Sequence, residues 1–117
     1  MKFYLTVIAL FLVVSLSGCS KAIDGKELQE RGGIVYQIND PNPYTGKATT
    51  FYENGQKKTE AHYVNGKYHG LFSRWYENGR KELDIQYVDG KKHGLFTSWY
   101  MSGQKKVETH FVDGVEQ

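Results

Sequence analysis

One cysteine, two prolines and a net charge of +2 are all that 117 residues provide of three common structural signals. A single cysteine rules out an intrachain disulfide. The prolines, Pro41 and Pro43, sit together, so the rest of the chain carries no residue that breaks a sheet ladder. Charge is nearly balanced and the lysines are spread evenly. A chain built for phosphate backbones clusters a basic surplus on one face, so nucleic acid is not an expected partner. Long apolar runs are missing too. The longest, Phe3 to Leu16, is 14 residues interrupted by Thr6 and Ser15, short of the roughly 20 that span a bilayer as a helix. Beyond it no sustained helical period occurs. Residues 26–31 are the one weak candidate and are too short to stand alone as a helix.

Aromatic residues are plentiful: nine Tyr, six Phe and two Trp. That excess argues against disorder. It suits a small protein whose core is built from large flat side chains, which bury much area for little side-chain entropy.

The first residues read as an address. Lys2 is the only early charge, the apolar run follows, and Leu16-Ser17-Gly18-Cys19 closes it. The length and composition are those of a secretory signal. The last four residues resemble the bacterial lipobox, which implies cleavage before Cys19 and lipidation of its sulfur. Residues 1–18 are therefore expected as a lipoprotein signal peptide, and the membrane as a partner through the lipid on Cys19. One acyl chain holds a protein only weakly; the resemblance implies a triacylated cysteine. Ser20 is not the Asp that marks inner-membrane retention, so the outer membrane is the implied destination in a Gram-negative cell. Residues 19–33, polar and containing Gly25, Gly32 and Gly33, are expected as a flexible tether. Residues 34–38 read as an entry strand ended by Pro41 and Pro43.

Residues 34–117 form the expected folded domain, and the rest of it is periodic. Segments 46–69, 70–93 and 94–117 align without a gap. The register returns at Gly46, Gly70 and Gly94, at Tyr52, Tyr76 and Tyr100, and at Gly55, Gly79 and Gly103. Such recurrence marks a repeat architecture. Within a unit, an aromatic run such as Leu71 to Tyr76 meets an Asn-Gly turn, the strongest short hairpin signal. The returning segment alternates: Leu83, Ile85 and Tyr87 face one way, Glu82, Asp84 and Gln86 the other. Period two over that length is a half-buried strand. The corresponding inward sets are Thr59, Ala61, Tyr63 and Val107, Thr109, Phe111. The fold class is all-β, a single-layer antiparallel meander of tandem hairpins.

These units resemble the MORN-variant repeat, carried by Tyr52-Glu53-Asn54-Gly55, Tyr76-Glu77-Asn78-Gly79, Asp89-Gly90 and His93-Gly94. Pro43-Tyr44-Thr45-Gly46 resembles the family's lead-in. Met101-Ser102-Gly103 departs from the pattern at the last turn. The resemblance also implies an antitoxin-like label, at odds with export if the toxin is cytosolic.

No catalytic constellation, cofactor or metal site is expected. Equivalent positions one hairpin apart are separated by two strand spacings, roughly 10 Å. That is too far for His69 and His93 to share a zinc, and His62 and His110 are further still. Glu60, Asp84 and Glu108 form a ladder at the same interval and read as solvated residues on a polar face. Ser73 and Ser98 lie within strands, with no sharp turn to present a nucleophile. The candidate partner-binding residues are Trp75, Tyr76, Trp99 and Tyr100, because large apolar groups occur on both faces of the first strand of each unit, and exposed contiguous apolar surface marks interaction sites. The strand near residues 105–112 is a second candidate, as an unpaired edge. The expected function is a lipid-anchored, non-catalytic module that binds a protein of the cell envelope. The alternative is an immunity role in which the partner is a toxin.

Overall fold

The computed structural model describes residues 22–117. The leader and Cys19 lie outside the described residues. Eleven strands and one turn of 3-10 helix follow in order. They are β1 (Ala22–Asp24), the helical turn (Gly25–Glu27), β2 (Leu28–Arg31), β3 (Ile34–Gln37), β4 (Gly46–Phe51), β5 (Lys57–Val64), β6 (Lys67–Tyr68), β7 (Gly70–Trp75), β8 (Lys81–Val88), β9 (Lys91–Trp99), β10 (Lys105–Val112) and β11 (Val115–Glu116). One sheet runs β1-β4-β5-β7-β8-β9-β10-β11, with β6 also on β5, and β2 pairs with β3 in a separate hairpin. The three repeats are the hairpins β4–β5, β7–β8 and β9–β10, laid side by side as an antiparallel meander.

Two kinds of turn alternate along the array. At Asn65-Gly66, Asp89-Gly90 and Asp113-Gly114 both residues have positive φ, between 50° and 86°. That is the tight two-residue hairpin whose twist matches its strands. At the Asn-Gly turns only the glycine is left-handed: Gly55 has φ 89° and Gly79 has φ 90°. The amide of Gly55 donates to the Tyr52 carbonyl and that of Tyr52 to Gln56, which makes a three-residue loop ending in a left-handed glycine. The asparagine serves through its side chain instead. Asn54 Oδ1 accepts from the Gln56 amide at 2.9 Å, and Asn78 Oδ1 from Arg80 at 2.9 Å. At the divergent third turn Ser102 Oγ takes the same place at 3.4 Å, a weaker contact. The turn survives the substitution because the hydroxyl reaches the same amide.

The register assigns the two faces. Ala48 opposes Ala61, Phe72 opposes Ile85, and Ile85 opposes Phe96, so these share the inner face. Thr49, Glu60, Ser73, Asp84, Thr97 and Glu108 oppose one another in sequence across the sheet, on the outer face. Ala48, Ala61 and Ile85 are the buried apolar residues, and no large side chain among the described residues is fully enclosed. The core is a thin layer, as a single sheet requires.

The tether expected over 19–33 is corrected for its described part. Ala22, Ile23 and Asp24 pair in parallel with Lys47, Ala48 and Thr49, adding an edge strand that the period-two pattern did not announce. Gly32 and Gly33, both with positive φ, close the β2–β3 hairpin. A Gly-Gly pair between two short extended runs is itself a hairpin signal. The weak helical pattern of 26–31 resolves into the single 3-10 turn, capped by the Asp24 carboxylate at the Lys26 amide, and then β2. Pro43 does not merely end β3, for it forms an isolated bridge with Tyr36. Inward facing also fades along the array. Ala61 is 4% exposed, whereas Val107, expected inward, is 42% exposed. The β2–β3 hairpin lies against the first repeat, and among the described residues nothing covers the third.

Candidate interaction surface

A strip of stacked rings crosses the inner face. Tyr44 meets Tyr63 edge-on at 5.9 Å, Tyr63 stacks on Tyr68 at 5.1 Å, and Tyr68 meets Tyr87 at 4.9 Å and Phe72 at 5.5 Å. Phe96 and Phe111 continue it at 6.1 Å, with the Lys92 ammonium over Phe111 at 4.9 Å. Each strand contributes its ring through simple alternation, and rings offset or edge-on in this way gain beyond their buried area. Burial foremost, with the neighbouring Tyr68, pushes the Tyr63 and Tyr87 hydroxyls above the usual phenol range. These rings stay neutral at any physiological pH.

The β2–β3 hairpin crosses this strip as a strap held at its two ends. At one end Gly25 packs so close to Thr50 that a Cβ would meet the threonine methyl. At the other, the Val35 amide donates to the Gly66 carbonyl at 2.9 Å, the Gly66 amide to Tyr44 at 2.7 Å and the Tyr44 amide to Val35 at 2.9 Å. A Cβ on Gly66 would lie 2.8 Å from the Val35 carbonyl oxygen. Between the anchors the strap stands off the sheet. A cleft of about 350 Å³ opens between Leu28, Glu30 and Val35 above and Ala48, Ala61, Tyr63 and Phe72 below. A second, of about 420 Å³, continues from Glu30 and Val35 past Tyr63 and Tyr68 to Lys67 and Lys91. Sequence reasoning read residues 34–38 as a strand, found here as β3, but missed this surface because it placed β2 in a tether and so did not pair the two as a strap.

The four candidates from the sequence divide. Trp75 lies half-buried on the outer face, with the Lys57 and Lys81 ammonium groups each 5.2 Å from its ring centre. Trp99 is equally half-buried at the equivalent position. The Tyr76 hydroxyl is engaged, donating to the Trp99 carbonyl at 2.7 Å. Tyr100 is 50% exposed. No single groove brings the four together.

Two of the three outer acids, Glu60 and Asp84, are more enclosed than a solvated ladder. The Glu60 carboxylate is 19% exposed and is held by Lys57 at 2.9 Å and Lys47 at 3.1 Å. Asp84 accepts from Ser73 Oγ at 2.6 Å and from Lys81 at 3.1 Å. Glu108 meets Lys105 at 2.8 Å and is open to solvent. The hydrogen bond from Lys57, then that from Lys47, holds the Glu60 carboxyl below the ordinary carboxylate range against the opposing effect of burial. The small hydroxyls of Thr49, Ser73 and Thr97 are buried between these acids. Each acid has its cation, so the row is a set of closed ion pairs rather than an acid–base pair.

The histidines cap junctions. His69 Nδ1 accepts from the Asp89 amide at 3.4 Å, where Thr45 Oγ1 accepts from Asn65 one repeat earlier at 2.9 Å. His62 Nδ1 lies 2.9 Å from the Leu71 carbonyl. Among the described residues no three His, Cys, Asp or Glu side chains group as a metal site would need.

A single-layer array of stapled hairpins, with an open aromatic face, defines a solenoid-like repeat scaffold of the kind that presents an extended surface to a partner. The chain belongs to the MORN repeat variant family, which matches residues 44–65, 68–89 and 92–113. The matched units begin two residues before those read from the sequence and keep the same interval. No curated protein and no solved structure matches the chain. Repeats of this family serve as interaction modules and are generally non-catalytic.

Proposed function

We propose that this protein is a lipid-anchored interaction module of the cell envelope, which holds a protein partner against the aromatic inner face beneath and beside the strap. The observation that carries the reading is the pair of joined clefts between β2–β3 and the tyrosine strip. Concave, mostly apolar surfaces with a few convergent polar groups are the usual form of binding sites. The lipobox-like Leu16-Ser17-Gly18-Cys19 supports the anchor. Only Ser20 and Lys21 separate Cys19 from β1, roughly 10 Å at full extension. A lipid on Cys19 therefore keeps the β1 edge close to the membrane surface, with no long leash.

A photoreactive residue at Tyr68, which borders both clefts, tests the reading in intact cells. The expected result is a specific protein adduct at Tyr68 and none at Glu77, in the turn at the far end of the strands. Equal labelling, or none, removes the proposal. Cys19→Ala should leave the detergent fraction; a variant as membrane-bound as the parent disproves the anchor. An immunity role, in which the partner is a toxin, requires that deleting the gene be harmful in the toxin's presence, and harmless deletion excludes it.

A further inference from the structure

We propose that the outer edge of β2 accepts an extended peptide, which lies over the aromatic face as a third strand of the β2–β3 sheet. This rests on the inner face being the interaction surface and specifies the chemistry of its partner.

The argument comes from the direction of backbone groups. In an antiparallel pair, directly opposed residues alternate between exchanging hydrogen bonds with each other and pointing their groups away. The Ile38 amide donates to the Glu27 carbonyl at 2.8 Å, which sets the phase. Two residues on, Gln29 and Tyr36 bond to each other, and so do Arg31 and Ile34. Leu28 with Gln37 and Glu30 with Val35 are then the pairs that point outward. Val35 confirms it, since its amide and carbonyl leave the hairpin for Gly66 and Tyr44. Its partner Glu30 must send its own amide and carbonyl off the opposite edge, where nothing among the described residues receives them. The Leu28 amide is taken by the Gly25 carbonyl, which leaves the Leu28 carbonyl as a further acceptor.

An unpaired edge beside an apolar groove is the arrangement used for strand addition, in which main-chain bonds supply affinity and alternate side chains supply specificity. Here β2 forms one wall of the first cleft through Leu28, Gln29 and Glu30. Alternate side chains of an added strand reach down toward Tyr63 and Tyr68, and the others face water. Charge sets the direction. Glu30 borders both clefts and Lys67 and Lys91 flank the second, whereas Asp89, which also borders it, keeps its side chain 82% exposed beside His69. The matching strand carries a basic residue toward Glu30 and a carboxylate toward the two lysines.

The test uses the full-length protein in detergent micelles and the probe peptide acetyl-Arg-Ser-Val-Ser-Val-Ser-Glu, whose arginine, valines and glutamate share one face of an extended strand. Binding should slow exchange of the Glu30 amide at least tenfold. Glu30→Pro removes that donor from an edge where proline is tolerated, and should weaken binding tenfold or more, against a few-fold for Glu30→Gln. N-methylation of alternate peptide amides should abolish binding in one register and spare it in the other, a readout that does not depend on how the proline variant folds. Binding indifferent to both changes overturns strand addition. Protection of Glu30 that rises with protein concentration alone assigns the edge to a second copy and overturns the peptide. If no peptide binds while the Tyr68 adduct persists, strand addition fails and the interaction surface stands; the loss of that adduct alone would sink the surface instead.

Discussion

The Tyr76 hydroxyl donates a 2.7 Å hydrogen bond to the backbone carbonyl of Trp99, one repeat further on. Tyr52 makes the same bond to Trp75 at 2.7 Å. The turn-motif tyrosine of the first and second units is thus a staple to the next hairpin, a role that needs no ligand. A hydrogen bond of this kind is worth about 1 kcal/mol net. Tyr52→Phe and Tyr76→Phe should each lower stability by about that amount in denaturant unfolding. Tyr100, whose hydroxyl meets no carbonyl among the described residues, should tolerate the same change. A Tyr100→Phe loss as large as the other two would contradict the staple.

Glycine at position 66 carries two demands and glycine at 90 only one. Both have positive φ, 79° and 83°. A Cβ at 66 also runs into the Val35 backbone, whereas at 90 it meets only the flexible Lys67 side chain at 3.8 Å. Left-handed backbone costs a non-glycine residue roughly 1–2 kcal/mol. Gly90→Ala should lose about that much, and Gly66→Ala distinctly more, with faster amide exchange in β2 and β3. Equal losses at the two sites would mean that the strap is not anchored at Gly66.

Acid should weaken the array through Glu60. Its folded pKa lies below the unfolded value, so the folded state holds the proton less tightly. The stabilisation is complete above the ordinary carboxylate pKa, about 4.3 for Glu, and fades as pH falls through the depressed folded value. Thermal unfolding between pH 7 and pH 3 should show this decline, and Glu60→Gln should flatten it. Glu108 is shifted the same way by Lys105, but it is open to solvent and salt should erase its share. A decline unchanged in Glu60→Gln places the acid sensitivity elsewhere.

Residues 22–33 should prove structural. Removing them strips the edge strand from β4 and uncovers Ala48 and Ala61. The shortened chain should melt more than about 5 °C lower, the shift expected for roughly 1 kcal/mol in a domain this small. It should also bind a hydrophobic dye. A melting temperature within a degree of the parent's would restore the tether reading.

Much of the array was legible in the residues because its signals are local. Asx-Gly pairs, the alternation of Leu83, Ile85 and Tyr87, and the 24-residue recurrence each concern neighbours within one hairpin or the next. The candidate surface was less legible. Tyr76 looked like an exposed aromatic because its acceptor, the Trp99 carbonyl, is 23 positions away and is not a side-chain pattern at all. Trp75 stands beside Lys57 from the preceding hairpin, a neighbour that only lateral packing supplies. Thr49, Ser73 and Thr97 look like surface hydroxyls in any sequence, yet they are buried between acids on adjacent strands.

The sequence by itself determined the repeat, its interval and the places of its turns, because a hairpin is specified by residues that lie beside each other along the chain. Where the first dozen described residues go was decided only by the tertiary structure. Their few apolar groups carry no period, and β1 adopts its place because β4 offers an unpaired edge, while the strap is fixed by the fit of Val35 against a glycine more than thirty residues later. Long-range main-chain pairing has no side-chain signature, so the cleft and the free edge of β2 came into view only with the fold.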